Sequence, residues 1–205
     1  EAFNFGLTIE EADAVFGRPL GIPKTGIFGL YDLIGIDLMA DVLKSFIKEL
    51  PISDPFHIVG KELPIINQLI EDGYTGRKGK GGFFRMNKSS DVKILESLNY
   101  KNNTYHESKK VDLGLPDVMD VLNVIERDDV YGKYAWSIIK KTILYASSLV
   151  PDVTTNFNDI DDAMKCGFNW SKGPFEILDE IGIENFVSKL NQDEEIPSFI
   201  KQLID

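Results

Sequence analysis

The sequence is poor in cysteine, histidine and cations, and each scarcity removes a class of protein. Cys166 stands alone, so the chain can form no internal disulfide. That fits a reducing compartment and leaves no thiolate set for a metal. His57 and His106 are too few for a histidine-rich metal centre, and neither lies at a spacing from Ser, Cys or carboxylate that suggests a catalytic base. Both read as surface or packing residues. Lys and Arg number 22 against 33 Asp and Glu, a net charge of −11. A nucleic-acid or anionic-membrane surface needs a broad basic face to replace counterions, so neither partner is expected. Any anionic ligand must meet a local cation cluster. Long apolar runs are also missing: the stretch 26–39 is cut by Asp32 and Asp37, well short of the roughly 20 residues that span a bilayer. The N-terminus has no basic segment followed by an apolar one, so no secretory signal is visible and the expected location is cytoplasmic. Glu1 falls inside a continuing pattern, which leads us to expect a piece of a longer chain.

What is present is ordinary globular material: 43% hydrophobic and 27% charged residues, in a length that suits one large domain or two small ones. Helical signals dominate. Thr8 and Glu11 form a capping box that starts a helix near Ile9. A helix over about 38–50 sets Leu38, Val42, Phe46 and Leu50 four apart, a stripe expected to be buried, and Pro51 stops it. Pro64 opens a helix over 65–71 that Gly73 ends. Between about 83 and 115 the texture changes to short β-favouring runs, with Asn102 and Asn103 turning a small hairpin between 98–100 and 104–106. Helices resume from Pro116. The longest runs over about 131–150, with Tyr134, Ile138, Lys141 and Tyr145 marking one face and Pro151 closing it.

The chain also repeats itself. Residues 26–37 (GIFGLYDLIGID) lie over 173–184 (GPFEILDEIGIE) with the Gly, Phe, Asp, Ile, Gly and Ile positions identical. Upstream, residues 12–16 match 160–164 after one gap. Each copy reads as a short helix, a tight glycine loop and another helix, so two related helical units are expected.

The densest chemical signal is Gly76-Arg77-Lys78-Gly79-Lys80-Gly81-Gly82-Phe83-Phe84, three cations among glycines that let a ligand approach the backbone. Tyr74 stands five before Gly79 and Gly81 follows Lys80, so the segment is not a phosphate loop of the Walker type. Its one G-x-G lacks the third glycine of a dinucleotide fingerprint, having Phe84 there. On composition it reads first as a solvated basic turn before a strand, with anion contact as the functional alternative. Gly26-Ile27-Phe28 and Gly173-Pro174-Phe175 open helices and read first as packing. The alternative for the first copy is a ligand-facing loop, Pro23-Lys24-Thr25-Gly26, with Lys24 near an anionic group of a substrate. Cys166 reads as a small buried hydrophobe.

Residues 161–182 (DDAMKCGFNWSKGPFEILDEIG) closely resemble the hallmark segment of 3-hydroxyacyl-CoA dehydrogenase C-terminal domains. Residues 17–26 (GRPLGIPKTG) with Asp32 and Gly35 resemble the same segment of a first copy, and 73–84 resembles that copy's basic glycine end. The resemblance implies a mainly α protein: two homologous helical domains of the 6-phosphogluconate-dehydrogenase-C-terminal-like type. The first would span 1–86 with its N-terminal helix truncated, a linker with a hairpin 87–116, and a degenerate second copy 117–205. It implies reversible oxidation of L-3-hydroxyacyl-CoA with NAD as cofactor. Lys78 would reach the NAD, acyl-CoA would be the substrate, and an upstream NAD-binding domain, often with an enoyl-CoA hydratase domain, would be the partner. The family's catalytic His and Glu and its nucleotide loop belong to the upstream domain, and its active-site Asn lies in an Asn-Arg pair that Asn4 does not match. No catalytic residue and no metal ligand is therefore assigned, and this segment alone is expected to be inactive. Competing readings are the helical domain of another hydroxyacid or sugar-acid dehydrogenase, or a noncatalytic association scaffold.

Overall fold

A computed structural model describes residues 1–87, 92–114 and 118–204. About half of the chain is helical, the described residues also form a three-stranded antiparallel sheet, and the chain divides into two compact units. One comprises Ala2–Ala14 with Lys24–Leu113; the other comprises Glu1, Val15–Pro23 and Gly114–Asp205. The expected start of the second copy, at 116 and 117, lies outside the described residues.

The sheet-bearing unit begins with α1 (Ile9–Val15). Its start is set by the expected capping box: Thr8 Oγ1 accepts the Glu11 amide at 3.2 Å and the Glu11 carboxylate accepts the Thr8 amide at 2.8 Å. Thr8→Ala should lower stability by about 1 kcal/mol, measurable as a shifted urea midpoint at unchanged slope. There follow α2 (Phe28–Ile34), α3 (Ile36–Glu49), α4 (Phe56–Val59) and α5 (Pro64–Glu71). Gly73, at φ +79, ends α5 as expected, with the Tyr74 amide bonded back to the Leu69 carbonyl.

The stripe predicted on α3 is corrected. Leu38 and Phe46 are about half exposed, and the buried positions are Ile36 and Ala40, on a helix that packs against α2 and α5. Residues two apart lie about 200° apart around a helix, so the spacing from Leu38 detected an apolar stripe on the wrong side.

The hairpin is present, longer than expected and joined by a third strand. β1 (Phe84–Asn87) pairs with β2 (Ile94–Asn99), which pairs with β3 (Thr104–Glu107). Asn103 takes the left-handed conformation at the turn, φ 56. Ile9, Ile36, Leu69, Phe83 and Leu98 form the core of this unit, flanked by Phe28, Tyr31, Tyr74 and Tyr105.

The described residues of the second unit form helices and loops: a short 3-10 turn (Arg18–Leu20), α6 (Val121–Ile125), α7 (Val130–Ser148), α8 (Asn158–Phe168), α9 (Pro174–Ile181), α10 (Ile183–Ser188) and α11 (Ser198–Ile204). Asp129 caps α7, accepting the Tyr131 and Gly132 amides at 3.0 Å. The face predicted for α7 is rotated by about one residue. Ala135, Ile139, Ile143 and Ala146 are buried, together with Tyr134, whereas Lys141 is exposed and pairs with Glu1. Lys140 is instead the buried cation, answered by Glu194 at 2.6 Å.

Candidate functional site

The same local build occurs once in each unit. On α1, Asp13 accepts the Phe28 and Gly29 amides at 2.8 and 2.9 Å and so caps α2. On α8, Asp161 accepts the Phe175 and Glu176 amides at 2.8 and 3.1 Å and caps α9. A free helix N-terminus presents orphan donors, and a carboxylate borne on a neighbouring helix satisfies them while fixing the two helices together. A side chain at Gly26 or Gly173 would overlap the capping aspartate, which explains the glycine at both places. Each second helix ends at a glycine of positive φ, Gly35 at +117 and Gly182 at +81, whose amide bonds to Tyr31 or Leu178. Burial pushes the Asp13 carboxyl up to about 7 and raises that of Asp161, against the pull of the amides they accept.

Among the described residues, the sheet-bearing unit alone adds a basic glycine turn to this build. The segment Gly76–Phe84 is a closed turn, with the Gly76 amide bonded to the Gly81 carbonyl at 2.8 Å and the Gly79 amide to the Gly76 carbonyl at 2.9 Å. It leads into β1, not into a helix, so no helix N-terminus stands ready for a phosphate there.

Asp32, 3% exposed, holds the turn from beneath. Its two carboxylate oxygens accept the Phe83 and Phe84 amides at 2.8 and 2.7 Å, and its own carbonyl accepts the Arg77 amide at 2.8 Å. Burial pushes this carboxyl up to about 6. Tyr105 closes the other side, its hydroxyl donating to the Gly82 carbonyl at 2.5 Å.

The cations of the turn have different fates. Lys78 is half exposed, with its ammonium 2.8 Å from Asp37 Oδ1, and that hydrogen bond holds the Asp37 carboxyl below its ordinary range. Lys80 donates to the Asp72 carbonyl at 2.8 Å. Arg77 is exposed. Lys24 is exposed on the loop before α2, and no hydrogen bond or ion pair joins it to the turn among the described residues. Cys166, expected to be buried, is exposed on α8.

Three features escaped the sequence reading. The first is the clamp by Asp32, for which the glycine density at 76–82 was the available signal, since it marks a close approach by something. Arg85 is the second: it reaches Glu96 at 2.7 Å and the Tyr74 hydroxyl at 3.0 Å while lying over the Tyr105 ring at 3.9 Å. The third is a cluster of Glu10, Ser97 and His106. Ser97 Oγ donates to Glu10 at 2.5 Å, and His106 Nε2 lies 3.6 Å from the same carboxylate. His106 therefore does have a carboxylate and a serine beside it, brought from α1 and β2, which no spacing in sequence could reveal. Ser97 is fully buried and spends its proton on Glu10, not on the imidazole, so the cluster joins α1 to the sheet and offers no accessible nucleophile. His57 lies 3.0 Å from the Pro51 carbonyl. Among the described residues no group of three or more His, Cys, Asp or Glu converges as a metal site, and no helix is long and apolar enough to cross a membrane.

Residues 2–86, which include the basic turn and its Asp32 clamp, match the family described as 3-hydroxyacyl-CoA dehydrogenase, C-terminal domain. That match covers 85 of the 205 residues. The chain is 43% identical over 185 residues, 90% of its length, to the "Putative fatty acid oxidation complex trifunctional enzyme" of Rickettsia prowazekii (strain Madrid E). It is 30% identical over its whole length to the "Probable 3-hydroxyacyl-CoA dehydrogenase" of Bacillus subtilis (strain 168). The chain spans 25% and 26% of those two relatives. No solved structure matches it.

Proposed function

We propose that this chain is the C-terminal, substrate-side portion of an NAD-dependent enzyme that oxidises L-3-hydroxyacyl-CoA to 3-ketoacyl-CoA in the cytoplasm, with hydride passing to NAD. The observation that carries this reading is the basic turn at 76–84, clamped on Asp32 inside the segment that matches the dehydrogenase family. The turn fits a contact with an anionic cofactor bound mainly elsewhere: Lys78 is half exposed and its present partner is a surface carboxylate that a ligand anion could replace. When bound, NAD supplies the hydride acceptor; Lys78 supplies a charge-assisted contact from outside the nucleotide domain. Lys24 faces an anionic group of the acyl-CoA.

The duplicated helix, glycine loop and helix support two copies of one domain, over 1–86 and 117–205 with a linker between. The second copy is structural. Its Asp179 is exposed, and α11 follows α10 with no basic glycine turn between them. The catalytic acid–base pair belongs to an NAD-binding domain of a longer chain, with an enoyl-CoA hydratase domain as a further neighbour.

Two measurements test this. NADH formation from L-3-hydroxybutyryl-CoA is expected from the long chain containing an NAD domain and absent from the 205-residue segment. In the long chain, Lys78→Ala should raise KM for NAD about tenfold with kcat unchanged, the loss of one charge-assisted contact of about 1.5 kcal/mol. An unchanged KM would favour a purely associative role.

A further inference from the structure

We propose that Asp32 is the positioning residue of the basic turn, the group that presents Lys78 at the start of α3 and so sets the cofactor contact; this rests on the functional reading above. The turn has no secondary structure of its own between α5 and β1 except the Gly76–Gly81 bridge. Its ends are tied to one residue: Arg77 to the Asp32 carbonyl at the near end, Phe83 and Phe84 to the Asp32 carboxylate at the far end. Two glycines make that approach possible, because a side chain at Gly76 would overlap the Asp32 carbonyl and one at Gly82 would overlap its carboxylate. Asp32 in turn is the fifth residue of α2, and α2 is fixed by Asp13, so the turn inherits its place from helix packing and not from its own flexible backbone.

The chain carries its own control. Asp179 occupies the position that matches Asp32 in the repeat, and it is exposed. A buried carboxylate is costly unless its lone pairs are met, so an aspartate at this helical position has no intrinsic need to be buried. It is buried only where there is a basic turn to hold. From the clamp, Lys78 extends to Asp37 in the first turn of α3, which keeps the ammonium at one place until an anion takes it.

The test uses hydrogen exchange first, because it does not depend on NAD. In the unsubstituted chain at low denaturant, the Arg77, Phe83 and Phe84 amides should exchange through one common opening. Arg77 exchanging freely while Phe83 and Phe84 stay protected would overturn the clamp. Asp32→Asn, which offers one acceptor where two amides need it, should speed exchange at Phe83 or Phe84 at least tenfold and shift the methylated Lys78 resonance. Asp179→Asn should change neither. In the long chain with its NAD domain, Asp32→Asn should raise KM for NAD several-fold at constant kcat. If Asp32→Asn loosens the turn but leaves KM unchanged while Lys78→Ala raises it, the positioning role fails and the functional reading stands. If neither variant moves KM, the functional reading fails.

Discussion

Phe83→Ala is expected to destabilise the sheet-bearing unit by about 3–5 kcal/mol, a large part of the margin by which a domain of this size stays folded. Phe83 is 2% exposed and lies at the junction of helices and sheet, its ring edge-on to Phe28 at 4.7 Å and to Tyr31 at 6.3 Å. Truncation removes most of a ring's burial and leaves a cavity whose walls belong to α2 and to the sheet, elements that cannot both collapse onto it. Its backbone is pinned too: the amide donates to Asp32 and the carbonyl accepts the Leu98 amide at 2.8 Å. The cavity therefore cannot close by a local shift without breaking the clamp. Thermal unfolding followed by far-UV circular dichroism, with exchange of the Leu98 amide as the local probe, measures the loss. A cost below 1 kcal/mol would mean that Phe83 is not the centre of this core.

Local sequence chemistry named the helix starts and stops well. The Thr8 and Glu11 box, Pro64 and Gly73 all act where their chemistry requires, because each signal works through the backbone of its own neighbours. The glycine–phenylalanine repeat likewise pointed to two places where a helix is entered and left in the same way. What sequence could not supply was direction. Both α3 and α7 carry more than one apolar stripe, and the stripe that is buried depends on which neighbours arrive, information that lies far along the chain. A strand after the basic turn was expected and β1 stands there, but its pairing was not legible: Phe84–Asn87 holds two polar residues in four, and its partner is β2.

The candidate site divides in the same way. The basic turn stood out because cations among glycines are conspicuous, and within it the family resemblance singled out Lys78. Asp32, which holds the turn, is 51 residues from the first amide it accepts and had no local signature beyond being shared with Asp179. His106 illustrates the limit from the other side: judged by its sequence neighbours it has no carboxylate partner, yet Glu10 arrives from 96 positions away.

The helical unit yields the second large effect. Gly173→Ala should cost about 4 kcal/mol, overpacking and the loss of a buried acceptor acting together. Gly173 has φ −79, so alanine strains no backbone there and the whole effect is collision. Its new methyl would overlap the Asp161 carboxylate and Cα, and the carboxylate has nowhere to go: it is 3% exposed and both oxygens are engaged by the Phe175 and Glu176 amides. Displacing it strips the start of α9 of its acceptor and lifts a helix that buries Phe175, Ile177, Leu178 and Ile181. Trp136, edge-on to Phe186 at 5.5 Å, and Trp170, edge-on to Phe16 at 6.1 Å, report the transition by fluorescence. A double-mutant cycle isolates the cause. Asp161→Ala alone should cost about 2–3 kcal/mol, from two buried amides left without an acceptor. Combined with Gly173→Ala it should cost clearly less than the two single losses together, since both changes remove the same acceptor and that loss is suffered once, although the collision with the Asp161 Cα and Cβ remains. Strict additivity would show that the glycine is there for another reason, and that the helix cap and the glycine loop are separate devices and not one interlocked joint.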